Sequence, residues 1–331
     1  GRLQGETQER ALACLRRFGQ RLVTVPQGHI RVVGTNTLRI ARRANPAFME
    51  LANEALGHPI EVIAGREEAR LIYLGVAHGI SDGGSRRLVV DIGGGSTELI
   101  LGAGFTLEHA DSLSMGCVSY SQRVFADGKI SPRRMEPAVL SARAELHGAA
   151  HRSGRGTWER CIGSSGTINA VDKILRANGW SRDGITAEGL GKLRSAITEV
   201  RRIDDLSLPG LKENRRPVIA GGVAVLTAVF ESIGIYSMTP SQWALREGAI
   251  VDLAGRLRDE DVREVTVARF SERFGVDVEQ GRRVEATARA LFEQVKEELK
   301  VDIEASRRLL SWAARLHEVG MALSFSGYHR H

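Results

Sequence analysis

Cysteine, aromatic residues, lysine and long apolar runs are all scarce in this chain, and each scarcity removes a class of protein. The three cysteines, Cys14, Cys117 and Cys161, are scattered. They offer neither a disulfide framework nor the paired spacing of a zinc site, and a reducing cytoplasm is the compartment they suit. Aromatics make up 5% of the residues, too few for the stacking platform that grips single-stranded nucleic acid. No uninterrupted apolar segment approaches the ~20 residues of a membrane span, and no signal-peptide pattern opens the chain. The basic residues are overwhelmingly arginine, whose planar fork clamps phosphate through two bonds at once. With a formal net charge of +6, that bias suits a polyanionic ligand, although an arginine-favouring codon usage leaves the same trace.

What is present is an ordinary globular composition: 331 residues, 42% hydrophobic and 26% charged, enough for two to three domains. Apolar periodicity predicts helices over residues 6–22, 35–45, 46–56 and 66–76, with short strands over 30–33 and 59–64, which together make an α/β layer. Residues 105–115 read as a strand and 116–125 as a helix. Ser131 caps a helix that runs to Arg152, and Pro137 inside it predicts a kink or a restart. A strand over 158–162, helices opening at Gly163 and over 186–202, and a buried helix over 217–234 follow. A strand near 237–243 and a helix over 244–257 complete this part. From Asp259 onward only amphipathic helix is expected, over 261–274, 278–300 and 303–316, so a domain boundary is expected between Gly255 and Asp259.

The stretch from Leu88 to Gly102, LVVDIGGGSTELILG, carries most of the chemistry. Two apolar, branched runs flank a turn, which predicts a hairpin with Gly93, Gly94 and Gly95 at its tip. Glycines there let backbone N–H groups approach an anion with no Cβ in the way. Asp91 and Glu98 flank the tip and supply the hard carboxylate oxygens that a phosphate-bound Mg²⁺ takes. By itself the motif is equally a solvated glycine hairpin. A second glycine turn, Gly163-Ser164-Ser165-Gly166-Thr167, stands between a strand and a helix, the usual place for an anion at a helix N-terminus. It is not a Walker A loop, because no Gly-Lys-Ser/Thr follows it.

The helix after Gly65 can be read face by face. Glu68 shares a face with Leu71, Ile72 and Gly75, whereas Glu67 has Arg70 at i+3 as an ion-pair partner. Glu68 therefore leans toward the apolar side, where loss of water makes a carboxylate a better general base. Two surface glutamates favoured by the helix dipole are the plainer alternative.

Eight segments in order now resemble one family: VVGTNTLR (32–39), EVIAGREEARLIYLGV (61–76), VDIGGGSTELI (90–100), SMGCVSY (114–120), GSSGTI (163–168), SLPGL (207–211), ALREG (244–248) and LHEVG (316–320). The family is that of exopolyphosphatases and guanosine pentaphosphate phosphatases, and the closing LHEVGMALSFSGYHRH is more similar to the exopolyphosphatase branch. The resemblance implies an α/β fold: a two-lobed actin-like (ribonuclease H-like) core followed by an all-α, HD-like helical domain. The lobes would be residues 1–70 and 71–255, and the helical domain 256–331. It implies Glu68 as the catalytic carboxylate and Asp91 and Glu98 as holders of Mg²⁺, with room for a monovalent cation. Arg39, Gly93, Gly94, Gly95, Ser96 and the loop Gly163, Ser164, Ser165, Gly166, Thr167 would bind phosphate.

The same resemblance implies a cytoplasmic or membrane-peripheral homodimer acting on inorganic polyphosphate, with guanosine pentaphosphate or tetraphosphate as the alternative ligand. It also implies an Asp-Gly-Ser-Asn-type phosphate hairpin ahead of Gly1, so the sequence reads as truncated at both ends, with half of the phosphate cradle outside it. Other classes remain in view: an actin-like ATPase or sugar kinase, and a non-catalytic binder of polyphosphate or nucleotide. In the helical domain, His317-Glu318, His329 and His331 offer a metal site short of the usual His-Asp pair, so a channel or dimer role is the expectation there.

Overall fold

Strand alternation decides which side chains meet in this protein. A computed structural model describes residues 5–80, 84–257, 262–299 and 301–322. Its main sheet has six strands: β3 (Arg86–Ile92), β4 (Thr97–Ala103), β5 (Thr106–Leu113), β6 (Arg160–Ser164), β7 (Ile185–Thr186) and β8 (Ser237–Pro240), in the order β5-β4-β3-β6-β8-β7. The β3–β4 and β4–β5 pairs are antiparallel, β3–β6 and β6–β8 are parallel, and β7–β8 is antiparallel. Leu88, Val90 and Ile92 of β3 face one layer of helices, α5 (Cys117–Val124), α6 (Pro132–Arg152), α7 (Gly166–Ala177) and α9 (Arg216–Ile233). Val89, Ile100 and Ile162 face the other way, against Ala69, Ile72, Tyr73, Val76 and Ala77 of α4 (Gly65–His78). With a period of two, Asp91, Glu98 and Ser164 fall on the α4 side.

The remaining elements of this unit are α1 (Gly5–Leu22), β1 (Val33–Gly34), α2 (Asn36–Ala44), α3 (Pro46–Leu56), β2 (Glu61–Val62), α8 (Ala187–Glu199) and α10 (Leu245–Leu257). β1 and β2 pair in parallel with each other, much shorter than the strands expected over 30–33 and 59–64. Helix α6 runs unbroken through Pro137, where a kink or restart was expected. Pro137 sits near the N-terminal end of the helix, and the buried stripe of Met135, Val139, Ala142 and Leu146 continues across it against α9. Helix α9 lies in the stretch 213–233, which is long and apolar enough to cross a membrane by composition. It is the core helix instead, with 72% of that window buried.

The chain divides into two compact units, Gly1–Leu253 and Ala254–His331. The 70/71 division drawn between the lobes falls inside α4. In the second unit, α11 (Val262–Arg273), α12 (Val278–Val295) and α13 (Ile303–Arg315) are the helices. Asp277 and Asp302 cap the last two by accepting from the amides of Gln280 and Ala305. Trp312 is buried, and its Nε1 donates to Glu264 at 2.7 Å. His317 Nδ1 lies 2.8 Å from the Ala314 carbonyl, and its Nε2 is 3.7 Å from Glu318. His329 and His331 lie outside the described residues.

Candidate active site

One rung across the sheet holds the polar residues of the site. Asp91 is directly opposite Glu98 in the β3–β4 hairpin and opposite Ser164 on β6, while Glu98 is opposite Ser112 on β5. The rung therefore reads Ser112, Glu98, Asp91, Ser164 across four strands. Ser164 donates a short hydrogen bond to Asp91, and Ser112 donates to Glu98 Oε1 at 2.9 Å. Glu98 is 1% exposed. Burial, with the nearby Glu68 and then Asp91 charges, pushes its pKa up to about 8, against the pull of the Ser112 and Ser96 hydroxyls. Burial, with Glu68 adding to it, pushes Asp91 up to about 6, and the Ser164 bond only partly offsets it. Carboxylates kept this dry and this close favour either protons or a cation.

Glu68 enters from α4, on the side of the sheet where the alternation puts Asp91 and Glu98. It is buried, whereas Glu67 turns away and is gripped by Arg70 through two bonds of 2.8 Å. Arg39, on α2, donates one Nη1 to Glu68 Oε2 at 2.9 Å and to the Ile63 carbonyl at 2.7 Å. The structure thus places Arg39 against Glu68 and aims the carboxylate. The other guanidinium N–H groups of Arg39 face no protein acceptor among the described residues.

The glycine tip is pinned from outside the hairpin. The amide of Cys117 donates to the Gly93 carbonyl, and those of Val118 and Ser119 donate to Gly94. The N-terminus of α5 thereby occupies the carbonyl oxygens that would repel an incoming anion. A Cβ on Gly95 would lie 2.3 Å from Asn36 Nδ2, and one on Gly116 would lie 2.5 Å from the Gly94 backbone. Close approach is what demands glycine here. Gly93, Gly94, Gly95 and Ser96 form the tip; of the stretch read as a second glycine turn, Gly163 and Ser164 are the last residues of β6, Gly166 and Thr167 open α7, and Ser165 between them caps by accepting from the Ile168 amide.

Ser165 has φ 105° and ψ 162°, a region open almost only to glycine, which costs about 1–3 kcal/mol. Strain of this kind collects where a loop is held for a ligand. Replacing Ser165 with Gly releases it at the expense of a cap worth a few tenths of a kcal/mol. We expect Ser165→Gly to stabilise the protein by about 1 kcal/mol, read as a rise in Tm of a few degrees. A fall in Tm would mean the serine conformation is not strained.

A cavity of about 670 Å³ opens beside the rung, reached by Asp91, Ser165 and Gly166 and walled by Arg31, Asn169, Gln242 and Ile250 among others, none of them aromatic. Among the described residues no three His, Cys, Asp or Glu side chains are grouped to enclose a metal ion on protein ligands alone. The donor set does fit Mg²⁺, which is held by one or two carboxylates and completed by water and substrate phosphate. Sequence reasoning reached Glu68, Asp91, Glu98 and both glycine turns. It passed over Ser112, whose period-two position on β5 was the available signal, and Asn36, whose packing under Gly95 leaves none.

The Ppx/GppA phosphatase family model matches residues 1–257, and the model for domain III of the same phosphatases matches 262–331. The chain belongs to the Ppx/GppA phosphatase family. An exopolyphosphatase-like protein of known structure is similar at 25% identity and a TM-score of 0.68, over 77% of this chain and 86% of that one. The Ppx/GppA enzyme of Aquifex aeolicus matches at 23% identity and TM-score 0.61, over 76% and 84%. An exopolyphosphatase from Cytophaga hutchinsonii matches at 21% and 0.65, over 76% and 83%. The last two likenesses show the fold alone: a mixed α/β core, followed here by the helical domain III. As a member of a phosphatase family, the chain is of the hydrolase class.

Proposed function

We propose that this Ppx/GppA phosphatase is an exopolyphosphatase, removing the terminal phosphate of inorganic polyphosphate with Mg²⁺. The observation that carries the reading is the pair of buried carboxylates facing each other in one rung, Asp91 and Glu98, both under the influence of the buried Glu68 and next to the glycine tip. Glu68 takes a proton from water as the water oxygen bonds to the terminal phosphorus and the bridging P–O bond breaks. The products are orthophosphate and a chain shorter by one unit. Arg39 keeps Glu68 Oε2 in place and adds positive charge near the transferred group. The amides of the glycine tip and of the α7 N-terminus take the phosphate oxygens. Asp91 and Glu98 would hold a Mg²⁺, which would supply charge neutralisation there.

The non-aromatic cavity wall favours a phosphate polymer over a nucleotide, and similarity to exopolyphosphatases adds to that. A second reading, hydrolysis of guanosine pentaphosphate, draws on the amides of Asn169 and Gln242, which are joined at 2.6 Å and could hydrogen-bond a base. Phosphate release by the purified chain from long polyphosphate and from guanosine pentaphosphate separates the two. We expect the higher kcat/KM on polyphosphate, and a clear preference for the nucleotide would sink that choice.

A further inference from the structure

Glu68 stands in the first turn of α4, and no side chain caps that turn. The N-cap is Ala64, which has no side chain able to accept from the free amides, so the turn frays unless something distant holds it. The holder comes from α10. Asp252 is 1% exposed, and it divides its two oxygens between two guanidinium groups. Oδ1 accepts from Arg70 Nη2 at 2.7 Å, and Oδ2 accepts from Arg31 Nη1 at 2.6 Å. Arg70 returns the fork to Glu67, one residue before Glu68, and Arg31 Nη2 reaches the same Glu67 at 3.4 Å.

Arg31 and Arg70 meet Asp252, Glu67 and, at the exposed edge, Glu61, which accepts from Arg31 Nε at 3.2 Å, and the cluster ties the first turn of α4 to α10 and to the segment just before β1. One turn further on the two helices touch backbone to backbone. A Cβ on Gly248 would lie 1.8 Å from the Leu71 carbonyl, and one on Gly75 would lie 2.1 Å from that of Ala244. The glycine crossing is a fixed pivot, and the ion cluster locks the end of α4 that carries Glu68.

We propose that Asp252 is a positioning residue for Glu68, acting through Arg70, Arg31 and Glu67 to hold the first turn of α4 against the Asp91–Glu98 hairpin. The assignment rests on reading Glu68 as the general base. Asp252 never touches substrate. Its effect is on where the Glu68 oxygens lie, and a misplacement of about 1 Å is worth up to about a hundredfold in rate.

The test is a double-mutant cycle in the full chain, with kcat and KM for phosphate release from polyphosphate. Asp252→Asn is expected to lower kcat about tenfold to a hundredfold and to leave KM within about a factor of two. Combined with Glu68→Gln, it should cost nothing beyond Glu68→Gln alone, because the group it positions is gone. Losses that multiply in the double variant, or a wild-type kcat for Asp252→Asn, overturn the proposal. If Asp252→Asn does not accumulate as folded protein, Arg70→Lys keeps the charge and loses the fork. It should reproduce the kcat loss and its disappearance in the Glu68→Gln background, and an unchanged kcat overturns the proposal equally. Wild-type turnover by Glu68→Gln itself would instead remove the general base, and this assignment with it. That outcome is distinct from an inactive Glu68→Gln beside a fully active Asp252→Asn.

Discussion

Glu68→Gln is expected to lower kcat for phosphate release about a thousandfold, in the middle of the range for loss of a general base, while polyphosphate still binds. The amide keeps the size of the side chain, and its oxygen still accepts from Arg39 Nη1, which now holds the Glu68 carboxylate at 2.9 Å. What is lost is the capacity to take a proton from water. Binding survives because the groups assigned to phosphate, the tip at Gly93–Ser96 and the turn at Gly163–Thr167, lie on other elements. Removing one negative charge from beside Asp91 and Glu98, both of which feel Glu68, lowers the repulsion that a polyanion meets. KM should therefore stay level or fall. Activity within tenfold of wild type would show that another group takes the proton. Loss of binding together with turnover would show that Glu68 serves the shape of the cleft.

Local patterns were legible and long-range meetings were not. The hairpin with its carboxylates could be read because a strand pair with a tight tip is specified within fifteen residues. The division of labour between Glu67 and Glu68 followed from helical spacing: Arg70 lies at i+3 from Glu67, and the face of Glu68 runs on to Leu71 and Ile72. Strand alternation then sets Asp91 and Glu98 toward that same helix, since Val89 and Ile100 pack on it. Nothing local, however, announces that Asp252 reaches Arg70 across 182 positions, or that the N-terminus of α5 closes over Gly93 and Gly94. Those contacts depend on how helices dock. The short pairs β1 and β2 show the same limit. Apolar runs at 30–33 and 59–64 have strand character, yet only Val33–Gly34 and Glu61–Val62 find partners, and pairing rather than propensity makes a strand. The strain at Ser165 was equally hidden, because a serine there looks like an ordinary N-cap.

The proposed binding of Mg²⁺ has a thermodynamic signature that does not depend on turnover. Burial, with the neighbouring carboxylates, pushes the pKa of Asp91 up to about 6 and that of Glu98 up to about 8, from ordinary values of 3.8 and 4.5. A folded-state pKa above the unfolded one means that the native protein binds more protons in the window between them. Its stability is then fully present below about pH 4 and is lost as pH rises through 6 and 8, since ∂ΔG/∂pH follows the protons bound in the unfolded state minus those in the native state. Over that window the metal-free protein should lose a few kcal/mol, on the order of 5 °C or more in Tm. A divalent cation bound by the ionised pair takes the place of the protons. Adding Mg²⁺ is thus expected to raise Tm strongly at pH 8.5 and hardly at pH 5. Glu98→Gln removes the larger of the two shifts, so it should flatten the fall of Tm with pH and cut the response to Mg²⁺ together. Thermal melts between pH 5 and 9, with Mg²⁺ and with a chelator, read all three effects. A metal-free Tm that holds or rises toward pH 9, or a Mg²⁺ response equal at every pH, would mean that Asp91 and Glu98 do not form the cation site.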